Sequence, residues 1–252
     1  MSFPSLLAPD FNSSVSFGLV PRYTRAFGIG YNPDVDTGTT PEDAWGGAGL
    51  YPWLPALTSL EVVSTSALDS VAVTGARTVT VTTLVGDYVS SPQVITLNGL
   101  TAVPIPIQAI RINGGRCLTA GSVGTNVGDI IIRDAGGGTI RGIILAGFGT
   151  MRQAPYTVPA GFTLAVGYIL LAVDSPSGSV GKFASISTYF KSPTGAAIQP
   201  LQIGNTNGQP YNHFSDPPLI VAERTDFALR INNASDNNTI VTAGWNGILK
   251  AN

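Results

Sequence analysis

Ala76-Arg77-Thr78-Val79-Thr80-Val81-Thr82-Thr83-Leu84 alternates with a period of two. Val79 and Val81 fall on one face of the segment, and Thr78, Thr80 and Thr82 fall on the other. Strict alternation of β-branched residues fits a strand with one face buried and the other wet. The same reading extends to Val94–Leu97, Ile105–Ile112, Ile130–Arg133 and Thr139–Leu145. It continues through Phe162–Val173, Lys182–Phe190, Ile198–Ile203, Leu219–Ala222, Phe227–Ile231 and Thr239–Leu249. Phe162–Val173 (FTLAVGYILLAV) is apolar at both parities, the pattern of a central buried strand. The separators are turn chemistry: Asn98-Gly99, Asn113-Gly114-Gly115, Gly136-Gly137-Gly138, Asp174-Ser175-Pro176-Ser177-Gly178 and Asn232-Asn233. About a dozen short strands at this spacing predict an all-β antiparallel sandwich over residues 58–252, with a jelly roll as the leading form.

Residues 1–57 read differently. Pro4, Pro9, Pro21, Pro33, Pro41, Pro52 and Pro55 exclude a long helix and a central strand. Nine aromatics between them are too many for a solvated tail. The segment is expected to be an extended arm whose anchors Phe27, Tyr31, Trp45, Tyr51 and Trp53 pack on its own sandwich or fill pockets on a neighbour. One short helix is expected within it, capped by Thr40 with Pro41 at its first position.

Composition narrows the function. The 252 residues include 30 glycines and 18 prolines, and only 11% are charged, against about 25% in an ordinary globular domain. A surface so poor in charge fits burial against other subunits. The formal net charge is −2, without a polybasic block, so nucleic acid is not an expected partner. No run approaches the length of a transmembrane helix, and no signal peptide is expected at the N-terminus. Arg outnumbers Lys ten to three; the planar guanidinium suits interfacial or buried pairing.

Catalytic chemistry is hard to find. His213 is the sole histidine and lies in the proline-bounded loop Gln209–Pro218. Cys117 is the sole cysteine, so it forms neither an intrachain disulfide nor a zinc site alone and reads as a small hydrophobe. There is no nucleophile elbow and no phosphate loop; Gly136–Gly138 reads as a hairpin turn. Asp34, Asp36, Glu42 and Asp43 form one acidic cluster, either solvated and Arg-paired or able to hold Ca²⁺. Trp45, Tyr51 and Trp53 could stack a sugar, although arm anchors use the same residue types. No cofactor is expected, and no enzyme.

The run Gly30-Tyr31-Asn32-Pro33-Asp34-Val35-Asp36-Thr37-Gly38-Thr39-Thr40-Pro41-Glu42-Asp43-Ala44-Trp45-Gly46-Gly47 resembles a segment of structural proteins of tailed phages, especially phages of aquatic bacteria. The order of the segments that follow is also similar: Ala76–Val81, Ile95–Val103 and Tyr156–Gly161. The resemblance implies a virion component assembled in the host cytoplasm. The leading expectation is a decoration or cement protein, a homotrimer bound to the major capsid protein or other virion subunits. The alternative is a head- or tail-attached fibre or receptor-binding module that recognises host glycan.

Overall fold

The computed structural model describes residues 10–38, 40–174, 182–198, 202–204 and 210–252. The first elements are a short helix α1 (Phe11–Ser16), β1 (Tyr23–Val35), β2 (Glu42–Asp43) and β3 (Leu60–Ser64). Next come β4 (Ala76–Val85), β5 (Val89–Thr96), β6 (Val103–Pro104), β7 (Arg111–Ala120), β8 (Ile130–Asp134) and β9 (Ile140–Ile144). The chain closes with β10 (Tyr156–Thr157), β11 (Phe162–Asp174), β12 (Ala184–Lys191), β13 (Gln202–Gly204), β14 (Tyr211–Val221), β15 (Asp226–Ala234) and β16 (Thr239–Ala251). Every ladder is antiparallel, as the alternating pattern requires.

These strands make two sandwiches instead of one. In the first, the sheet β1-β16-β11-β14 faces the sheet β10-β15-β12-β13, with β2 also against β15. In the second, β6-β3-β8-β9 faces β5-β4-β7. Each has its own apolar core. The second core runs from Leu54 to Met151 without interruption by the first; the first takes Ala26, Val35 and Ala44 from one side of that stretch and everything from Ala154 to Trp245 from the other. The second sandwich is therefore an insertion into the first.

The expected arm is part of this architecture. β1 runs against β16 from Tyr23↔Lys250 to Val35↔Thr239, so the two ends of the described chain close the first sandwich together. Pro33 does not prevent this, because it sits in the bulge between Asn32 and Val35 on an edge strand, where a missing N–H costs the ladder nothing. Gly30 is needed by contact: a Cβ there would stand 2.0 Å from the Ala44 carbonyl oxygen and 2.8 Å from the Ala154 nitrogen. Residues 1–9 of the expected arm, with Phe3, Pro4 and Pro9, lie outside the described residues, as do residues 175–178 of the expected turn and 199–201 of the expected strand Ile198–Ile203.

Other local expectations are corrected. The helix at Thr40 is absent, and Glu42–Asp43 pair instead with Ile231 and Arg230. The Glu42 carboxylate accepts from the Asn32 side chain and from the backbone N–H groups of Asp36 and Gly49, bonds that hold the segment extended. The helix forms at Phe11–Ser16, where the Asp10 carboxylate caps the Ser13 N–H at 2.9 Å. Asn113-Gly114-Gly115 lies within β7 opposite a register shift, and Asn232-Asn233 lies within β15; both mark bulges, not turns. Gly136–Gly138 does join the hairpin β8–β9, with the Glu61 carboxylate accepting from the N–H groups of Gly136 and Gly137.

Candidate assembly surface

The five expected anchors separate by depth. Trp45 and Tyr51 are buried within this chain, 4% and 5% exposed. Their rings meet edge to face at 5.3 Å, and Tyr51 meets Trp53 at 4.7 Å. The Trp45 indole donates to the Gly49 carbonyl and the Tyr51 hydroxyl to the Arg141 carbonyl. This stack sits where the chain passes from the first sandwich to the second, so these two rings fill no neighbour's pocket and offer no open sugar platform. Trp53 is half-buried under the Arg111 guanidinium, and Tyr31 leans on Phe148 at 5.4 Å. Phe27 alone among the five is freely exposed, at 67%.

Most of the ion pairs are internal too; only Arg224–Asp87, among those of the described residues, lies at the surface. Arg111 forks onto Asp226 at 2.8 and 2.9 Å across the junction of the sandwiches, and its Nη1 donates to the carbonyls of Leu54 and Ile110. Burial opposes the charge on Arg111, but the bonds and attraction to Asp226 outweigh it and hold the guanidinium above its ordinary pKa. The Thr157 hydroxyl also donates to Asp226, and the Asn113 amide exchanges two bonds with the Thr157 backbone. Arg111→Ala would strand Asp226, whose side chain is 3% exposed, and should lower stability by about 3–5 kcal/mol in a urea titration of the full chain. Arg111→Lys should recover only part of that loss, because an ammonium cannot reproduce the fork.

Three members of the acidic cluster, Asp36, Glu42 and Asp43, are likewise engaged, and Asp34 is exposed. Asp43 is buried and accepts from Arg230 and the Tyr51 N–H; burial raises its carboxyl pKa in spite of Arg230. Asp36 accepts from the Asn238 N–H. Among the described residues no cluster of three or more histidines, cysteines or acids is placed to hold a metal ion. Cys117 lies half-buried on β7, its thiol pushed up by burial. His213 sits on the edge strand β14 opposite Ile169, not in a loop. A cavity of about 280 Å³ opens beside β1, between Phe27, Met151, Tyr156 and Trp245. No helix among the described residues is long and apolar enough to cross a membrane.

Among the described residues, what remains open is the outer face of the sheet β1-β16-β11-β14. Val241, Ala243 and Trp245 of β16 point into the core, as do Leu164, Val166, Ile169 and Leu171 of β11. The opposite parity forms rows across the four strands. One row is Arg25, Ile248, Ala165 and Ile220; the next is Phe27, Asn246, Tyr168 and Phe214; the third is Ile29, Gly244, Leu170 and Asn212. Phe27, Phe214 and Ile220 are 67%, 75% and 65% exposed. Tyr168 and Phe214 stack at 5.0 Å. Phe27 was legible from sequence; Ile29, Tyr168, Phe214 and Ile220 were not. The signal for Tyr168 lay in FTLAVGYILLAV, where the outward parity is apolar as well; the other three lie outside that run.

Known proteins give little to place beside this geometry. No family model matches the chain, and no curated protein matches it. Among solved structures, that of the infectious bursal disease virus Gx strain is 12% identical, aligned over 91% of this chain and 72% of that one, with a TM-score of 0.25. The Gt strain structure is 11% identical, over 96% and 87%, with a TM-score of 0.16. Superpositions this loose carry no argument about fold or role.

Proposed function

We propose that this chain is a non-catalytic structural subunit of a virus particle, a decoration or cement protein that binds copies of itself and neighbouring shell subunits. The observation that carries the assembly reading is the uncovered apolar sheet face. A monomer rarely leaves several adjacent aromatic and branched side chains in water on one flat surface. The resemblance of Gly30–Gly47 to tailed-phage structural proteins supports placing the subunit on a virion. Pairing of Arg111, Arg133, Arg141 and Arg230 with carboxylates inside the chain adds to this, since it takes those charges off the surface. The glycan-binding alternative draws no support from Trp45 and Tyr51, which are buried.

The test is co-sedimentation of the purified chain with particles that lack it. Wild type should pellet with the particles. A Phe27→Asp, Phe214→Asp variant should bind at least about 30-fold more weakly, the loss expected from two central aromatic contacts, because subunits that do not self-associate lose the avidity of a multivalent contact. Its melting temperature should stay near wild type, because both rings are exposed. Wild type left in the supernatant would overturn the reading.

A further inference from the structure

We infer that the outer face of the sheet β1-β16-β11-β14 docks against the same face of a second copy, related by a two-fold axis that runs across the strands. This deepens the assembly reading above and rests on it.

The charges at the two ends of the face select this arrangement. Beyond the apolar rows, Lys250 lies at one end, on the β16–β11 ladder opposite Thr163, with Arg25 next to it on β1. Asp174 lies at the other end, opposite Ile240, with Asp34 in the β1 bulge beside it. All four are exposed. Arg25, Lys250 and Asp174 share the outward parity of Phe27, Asn246 and Leu170. One face is therefore basic at one end, acidic at the other and apolar between. Of the other charges nearby, Glu223 accepts from the Gly161 N–H and Asp10 caps α1, while Asp216 is exposed in the irregular part of the edge strand β14, between Phe214 and Leu219.

A two-fold axis along the strands would lay basic end on basic end. An axis across the strands reverses one copy, so that Arg25 and Lys250 of each copy meet Asp34 and Asp174 of the other. It also keeps β1 over β1 and β14 over β14, so the Phe27 rings of the two copies meet along one side of the contact and the Phe214 rings along the other, both midway between the charged ends. Such an interface uses one patch twice and closes on itself.

The area is sufficient. Four strands about 4.8 Å apart and ten residues at about 3.4 Å span a face of about 650 Å², within the range of about 600–1,000 Å² per partner in stable complexes. An apolar middle between charged ends is also the anatomy of such contacts. The two-fold arrangement predicts a dimer, in place of the trimer expected from sequence.

Paired charge reversal tests this on the purified full chain by sedimentation velocity. Wild type should dimerise at micromolar concentration. Arg25→Glu with Lys250→Glu should weaken dimerisation by roughly 10- to 100-fold, and Asp34→Arg with Asp174→Arg should do the same, because each puts like charges together twice per dimer. An equimolar mixture of the two variants should recover a dimer containing one of each, since every end then meets its opposite. That recovery also shows that both variants are folded. A mixture that stays monomeric overturns the inference, as do reversed variants that dimerise like wild type. A wild type that is trimeric also overturns it, and a wild type that is monomeric at tens of micromolar assigns the face to a different partner. If the mixture fails while the wild type still pellets with particles, the two-fold docking falls and the assembly reading stands. If the mixture recovers but nothing pellets, the reverse holds.

Discussion

A chain that begins at Ser59 should fail to fold its first sandwich while keeping the second. The deletion removes β1 and its whole ladder to β16. It also removes buried Ala26, Val35, Ala44, Trp45, Tyr51 and Leu54, and it uncovers Trp245, whose indole donates to the Ala154 carbonyl beside β1. Burying a large side chain stabilises by about 1.5–3 kcal/mol, so the aromatic pair, the aliphatics and the ladder together approach the roughly 5–15 kcal/mol that holds a domain folded. The inserted sandwich loses little, since its core lies between Leu54 and Met151. Heteronuclear NMR of the truncated chain should show dispersed signals for 60–151 and collapsed signals for 154–252. Dispersed signals throughout would mean that β1 is dispensable.

Asp69→Ala should be the most damaging single substitution in the inserted sandwich. The Asp69 carboxylate is fully buried. It accepts from the Ser64 hydroxyl at 2.6 Å, from the N–H groups of Ala76 and Val127 at 2.8 Å, and from that of Gly128 at 2.9 Å. Four donors from three parts of the chain thus converge on one side chain, tying the start of β4 and the loop before β8 to the end of β3. Truncation leaves three backbone donors without a partner, each costing about 1–3 kcal/mol, so the loss should be about 3–9 kcal/mol. Asp69→Asn should recover less than half of it, because an amide presents N–H groups to donors where the carboxylate presented oxygens. Equilibrium urea denaturation followed by fluorescence measures both.

Much of the strand content is readable locally. ARTVTVTTL forms β4 with Val79 and Val81 buried, and FTLAVGYILLAV forms β11 between two neighbours. The glycine triplet makes its hairpin. Local pattern fails where distant partners decide. The pairing of β1 with β16 joins opposite ends of the chain, and nothing within residues 23–35 announces it. Prolines misled for a physical reason: they are excluded from central strands, but β1 and β14 are edges, where Pro33, Pro217 and Pro218 leave no ladder bond unmade. The insertion is invisible for the same cause, since both sandwiches use short alternating strands of one composition. In the site, Phe27 was legible only as one of five aromatic anchors of the expected arm. Trp45 and Tyr51 share its residue class, and only the fold separates rings that close the junction from rings that face outward. The row Phe27–Asn246–Tyr168–Phe214 draws on four strands and exists only once their register is set.

Cryo-EM of the intact particle tests the central claim most directly. The account predicts density for this chain on the particle, in pairs, with the β1-β16-β11-β14 faces packed together and Phe27 and Phe214 out of water. Particles that lack the chain, or that carry it with this face open to solvent, would contradict it.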